Sequence, residues 1–161
     1  METIETKLRR RIKRTILFFI VAIALSGITA FPIETELKIV DTHLSSFPES
    51  LQTWMHTVYL AVKNTNENYP YLSYGTDWLA FAHIVIATAF IGPLRDPVRN
   101  IWVIQFGMIA CVMVFPLAFI AGSVRGIPFY WQLIDCSFGV FGFAVLYFCY
   151  RDIVKLEKIQ Q

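Results

Sequence analysis

Charge is what this chain has least of. Only 16% of its 161 residues are Asp, Glu, Lys or Arg, against about 25% in soluble domains. The deficit is concentrated in four runs. Thr15–Ile33 and Ile101–Val124 carry no charged residue, Trp78–Leu94 has His83 as its only ionisable group, and Gly126–Tyr150 has a single acid, Asp135. A bilayer core of roughly 30 Å needs about 20 apolar residues in a helix, with a range of about 17–25. These runs therefore exclude an ordinary soluble domain and predict four transmembrane helices, at about residues 15–33, 76–94, 100–124 and 128–150. A hydrophobic content of 56% and a mean hydropathy of +0.54 agree.

Cysteine is also scarce. Cys111, Cys136 and Cys149 all fall inside predicted spans, none forms a CxxC, and no histidine sits at ligand spacing from them. They read as small buried hydrophobes, which argues against disulfide redox chemistry. His43 and His56 lie thirteen apart without a companion cysteine or acid pattern, so no metal and no cofactor is expected. Serine nucleophile elbows, glycine-rich phosphate loops and HExxH motifs are absent, as are repeats and low-complexity tracts. With four spans in so short a chain, residues 1–161 read as a single membrane domain without room for an ATP-binding module.

The cations that are present are unevenly placed. Lys7, Arg9, Arg10, Arg11, Lys13 and Arg14 precede the first span, Arg95 and Arg99 sit in the second connection, and Arg151, Lys155 and Lys158 follow the last span. The other side holds only Lys38, Lys63 and Arg125. The positive-inside rule thus places both termini in the cytoplasm. Basic clusters that abut a span are suited to anionic lipid headgroups rather than nucleic acid. With no organelle-targeting signal visible, the expected location is a cytoplasmic (inner) membrane, crossed several times. The stretch before and through Ser26-Gly27-Ile28-Thr29-Ala30 also matches a secretory signal peptide. Cleavage there would leave three spans; four is the expectation.

Residues 34–75 form the one long extracytoplasmic loop. Ser46-Phe47-Pro48-Glu49 matches a capping box. Leu51, Trp54, Met55, Val58 and Val62 follow at helical spacing, predicting an amphipathic helix over about 48–64. Residues 64–74 look turn-rich, and Tyr69, Tyr71, Tyr74 and Trp78 suit an aromatic belt at the outer interface. In the cytoplasmic hairpin, Gly92-Pro93 should end the second span and Asp96 should N-cap the third, with Pro97 at its first helical position. Pro116 should kink the third span. Ala22, Ser26 and Ala30 set small residues four apart on the first span, and Gly139 and Gly142 lie three apart on the fourth, which permits close helix packing. The fold class is all-α: a four-transmembrane-helix bundle with an amphipathic extracytoplasmic helix between spans 1 and 2.

Ionisable groups inside a span are costly and call for a reason. His83 and Asp135 each lie six or seven positions below the outer end of their span, or roughly 10 Å at 1.5 Å per residue. An imidazole and a carboxylate at one depth suggest a polar pocket, with Asp135 orienting His83 and the pair able to exchange a proton. Gln132 lies one turn before Asp135, and Arg125, Asp77 and Tyr130 stand at the mouth, where Arg125 would fork onto a carboxylate or phosphate. The alternatives are a His83–Asp135 pair that only fixes helix register, or no contact at all.

Four functions fit these residues. The expectation is a protein holding a lipid-like or amphipathic small molecule beneath the outer surface. Next come a membrane-embedded enzyme using His83 as general acid/base on a lipophilic substrate, and a scaffold or accessory subunit. A transporter would need more than one copy of so few spans. The partners implied are membrane lipids, a small lipophilic ligand, and another membrane protein or a second copy of the chain.

Overall fold

The computed structural model describes residues 3–160, and among them every regular element is helical. The elements are α1 (Ile4–Ala30), α2 (Ile33–His43), a 3-10 turn (Leu44–Ser46), α3 (Glu49–Asn68), α4 (Pro70–Ala89), α5 (Ile91–Arg95), α6 (Ile101–Pro116), a π-helical segment (Leu117–Ala121), α7 (Gly122–Val124) and α8 (Phe129–Gln160). Four stretches are long and apolar enough to cross a membrane: Ile4–Ala30, Pro70–Arg95, Ile101–Val124 and Phe129–Gln160. The chain is an all-α protein with four candidate membrane spans.

Packing divides it into two compact units, one made of the residues up to Ile20 together with those from Thr88 onward, the other of Val21–Ala87. In the first unit, α6 and α8 pair along their length. The buried face of α8 recurs every three or four residues, through Gln132, Cys136, Gly139, Gly142, Leu146, Cys149, Ile153 and Leu156, the stripe expected of a helix with one packed face. Its middle is small. A Cβ at Gly139 would lie 2.7 Å from the backbone oxygen of Cys111 on α6, and one at Gly142 would lie 2.9 Å from the Cys111 sulfur. Here the helices touch backbone to backbone, and in lipid such packing is a main source of association. The opposite faces carry exposed apolar side chains such as Trp102, Ile109 and Met113 on α6 and Phe138 and Phe141 on α8. That surface suits acyl chains, and in water it would exceed the patch a monomer tolerates.

Both terminal helices overrun their charge-free runs. Leu8, Ile12 and Ile16 are buried at four-residue spacing, so α1 begins at Ile4, ahead of the basic cluster, and runs through it. At its far end α8 continues ten residues past Tyr150 to Gln160. There Arg11 grips Asp152 through two parallel hydrogen bonds, Nε to one carboxylate oxygen and Nη2 to the other. Nothing in the sequence pairs these residues, which lie 141 positions apart.

Three details of the connection between α4 and α6 differ from expectation. The second span closes with the short α5, in which Pro93 is buried. Asp96 does not cap α6: its Oδ1 accepts the N–H of Arg99 (3.1 Å), closing a turn over residues 96–100. Asn100 is the N-cap residue, and its side-chain amide reaches back to the carbonyls of Asp96 (2.9 Å) and Gly92 (3.3 Å). The capping chemistry is present, spent on the turn four residues earlier.

In the second unit the segment between the first two spans is mostly helix. α2 and α3 pack along one another, antiparallel by their side-chain links. Glu34 Oε2 accepts Asn66 Nδ2 (2.6 Å) and Asp41 meets His56 Nδ1 (3.1 Å). Leu37, Leu44 and Met55 are buried in this unit. The expected loop before residue 48 is therefore α2. The expected capping box does not form, because Ser46 ends the 3-10 turn and Pro48 is the N-cap without a side-chain bond. Gln52 instead donates to the Phe47 carbonyl (2.7 Å). The turn-rich reading of 64–74 also fails: only Tyr69 separates α3 from α4. Thr65 bonds back to the Ala61 carbonyl and Asn68 to that of Asn64, while Asn66 bonds Glu34 and Ser73, so these polar side chains brace the helix rather than break it. Tyr71, Tyr74 and Trp78 stand exposed on α4, with Tyr74 edge-on to Trp78.

Candidate functional site

The geometry around Asp135 is set by the way the third span ends. Pro116 has no N–H to donate, and immediately after it the α-helix gives way to the π segment Leu117–Ala121. Such wide turns occur often at functional sites. α7 then closes with a Schellman motif: Ile127 N–H donates to the Gly122 carbonyl (2.9 Å) and Gly126 N–H to that of Ser123 (3.2 Å). Gly126 supplies the left-handed backbone this needs, with φ of +70°. Arg125 is the C-cap residue, where a cation complements the negative end of the helix.

Behind this turn lies a cavity of about 280 Å³. Val114, Leu117, Ala118, Ala121 and Ile127 form its apolar wall, and Arg125 and Asp135 supply the polar groups. Asp135 is half-buried, two turns into α8, while Arg125 is exposed. No salt bridge joins the two among the described residues. Gln132, expected beside Asp135, is turned elsewhere. It is buried, its Nε2 donates to the Ile127 carbonyl (2.8 Å), and its side chain fills the space a Cβ on Gly122 would need. Its role is to clamp the α7–α8 turn that holds Arg125. Tyr130 lies half-buried in the first turn of α8.

The remaining candidates belong to the second unit. His83 is half-buried on α4, and its Nδ1 lies 2.8 Å from the Leu79 carbonyl. A carbonyl only accepts, so Nδ1 carries the proton in this bond, and Nε2 is the acceptor of the neutral ring. Gly27 of α1 lets the two helices meet beside it; a Cβ there would fall 2.6 Å from the Ala80 oxygen and 2.9 Å from the His83 Cβ. Asp77 is half-buried one and a half turns earlier. Of the residues expected at the site, Arg125 and Asp135 share one cavity, and His83 and Asp77 share α4. Arg11 and Asp152 carry no such signal in the sequence, since neither lies inside an apolar run. Among the described residues no three His, Cys, Asp or Glu side chains are grouped to hold a metal ion.

The class defined here is an all-α protein with four helices able to cross a membrane. No family model, no curated protein and no solved structure matches the chain.

Proposed function

We propose that this is a multi-pass protein of a cytoplasmic (inner) membrane whose Arg125–Asp135 cavity binds a lipid-like or amphipathic small molecule. The observation that carries the reading is an arginine and a carboxylate on one apolar-walled cavity without a salt bridge between them. Opposite charges left apart at a membrane surface can each take a ligand group. Arg125 offers a planar fork to a carboxylate or phosphate, and Asp135 accepts from a hydroxyl or ammonium. The apolar wall then takes the ligand's hydrocarbon part. At about 280 Å³ the cavity lies near the low end of ligand sites, about 300–1,000 Å³, which suits a headgroup and the start of a chain.

The test is native mass spectrometry of the full chain released from lipid nanodiscs. Wild type should carry a discrete bound mass, and Arg125→Ala and Asp135→Asn should each reduce it about tenfold, the loss of one charge-assisted hydrogen bond. A bare wild-type protein would sink the reading.

The proposed orientation, with both termini cytoplasmic, follows the eleven Lys and Arg residues on that side. In a cysteine-free background, Ser45→Cys should react with an impermeant maleimide in intact cells. Lys158→Cys should react only after permeabilisation. The reverse pattern would invert the topology.

A further inference from the structure

A second cavity lies at the other end of α8, in the same unit. Asp135 and Asp152 are seventeen residues apart on one helix, which separates them by about 25 Å. This cavity, of about 290 Å³, is lined by Arg11 and Thr15 of α1 and by Phe148, Arg151, Asp152 and Lys155 of α8. It holds three cations against one carboxylate.

Asp152 is engaged fully by Arg11, which meets both carboxylate oxygens. Arginine has five N–H donors, and this fork uses two. The other three stay on a guanidinium held at a fixed angle, on a side chain that is 62% exposed. Arg151 and Lys155 flank Asp152 on α8, both exposed. With the internal pair neutralised, a net charge of two positives remains around a concave space. Arg11 lies four residues before the first apolar run and Asp152 two residues after the last. Two spans therefore set this group at the level where a helix leaves the hydrocarbon and phosphates begin. Phe148, exposed on the membrane side of the group, adds an apolar wall.

We propose that this cavity is a binding site for the phosphate of an anionic phospholipid, with Arg11, Arg151 and Lys155 holding the oxyanion and Phe148 lying against the glycerol and upper chain. Asp152 acts as a positioning residue that aims Arg11. The chemistry recognised is a phosphate oxyanion, which inorganic phosphate could also supply. The apolar wall and the interfacial level favour the lipid. The proposal stands apart from the Arg125–Asp135 reading and shares no residue with it.

The experiment uses the full chain in nanodiscs of phosphatidylcholine with a minority of phosphatidylglycerol, released into a native mass spectrometer. Wild type should retain phosphatidylglycerol in preference to phosphatidylcholine. The double variant Arg151→Gln/Lys155→Ala, exposed at both positions, should fold and retain about tenfold less. Lys13→Ala/Lys158→Ala removes the same charge from the same end outside the cavity and should change nothing. Equal losses in the two double variants would mean diffuse attraction and overturn the site. Equal retention of the two lipids by wild type would overturn it too. Displacement of phosphatidylglycerol by inorganic phosphate at constant ionic strength would overturn the lipid as its ligand.

Discussion

Gly139→Val should separate α6 from α8 and cost stability at the upper end of the about 1–3 kcal/mol typical of overpacking. The added Cβ would sit 2.7 Å from the Cys111 backbone oxygen, and a helix backbone cannot step aside as a side chain can. Gly142→Ala is the internal comparison. Its Cβ meets the Cys111 sulfur at 2.9 Å, a group that can rotate, and the change gains up to about 1 kcal/mol of helix propensity. Reversible unfolding in mixed detergent micelles, followed by helicity, should rank Gly139→Val well below Gly142→Ala and wild type. Equal stability of the two variants would refute a backbone clash.

Arg11→Ala should destabilise the chain more than Asp152→Ala, although both remove the same pair. The reason is the difference in exposure, 62% for the arginine side chain against 9% for the aspartate. Removing Arg11 strands a carboxylate that water barely reaches, whereas removing Asp152 leaves a guanidinium that water can solvate. Breaking a fully buried pair costs about 3–5 kcal/mol and an exposed one about 0–1. Arg11→Ala should fall between, near 2 kcal/mol, and Asp152→Ala near or below 1. The double variant should recover most of the larger loss, because no buried charge is then left alone. Strict additivity around this cycle would mean that the two side chains do not act together.

How far these features can be read from the chain depends on their range. The four spans are legible because a charge-free run of that length has few other fates. Their ends are not. α1 starts at Ile4 because Leu8 and Ile12 continue its buried stripe beneath the arginines, and α8 runs on because Ile153 and Leu156 do the same. α2 is written in Ile33, Leu37 and Val40, but Glu34, Glu36, Lys38 and Asp41 interleaved with them mask the period. Ser46 and Asp96 carry capping residues in capping patterns, yet neither caps the helix that follows, since turn geometry decides which amide comes within reach. Asp135 and Arg125 stood out by chemistry alone, an acid inside a span and a cation at its mouth. Arg11 and Asp152 are ordinary charges until tertiary packing brings the two ends of the chain together.

The close approach at Gly139 has a thermodynamic consequence. When apolar groups leave water, their burial changes the heat capacity and their attraction fades on cooling. Within a bilayer, α6 and α8 exchange contact with acyl chains for contact with each other, and little water is released. Their union is governed by how closely two backbones fit. Pulling them apart should thus show almost no heat-capacity change, and the pair has no reason to loosen in the cold.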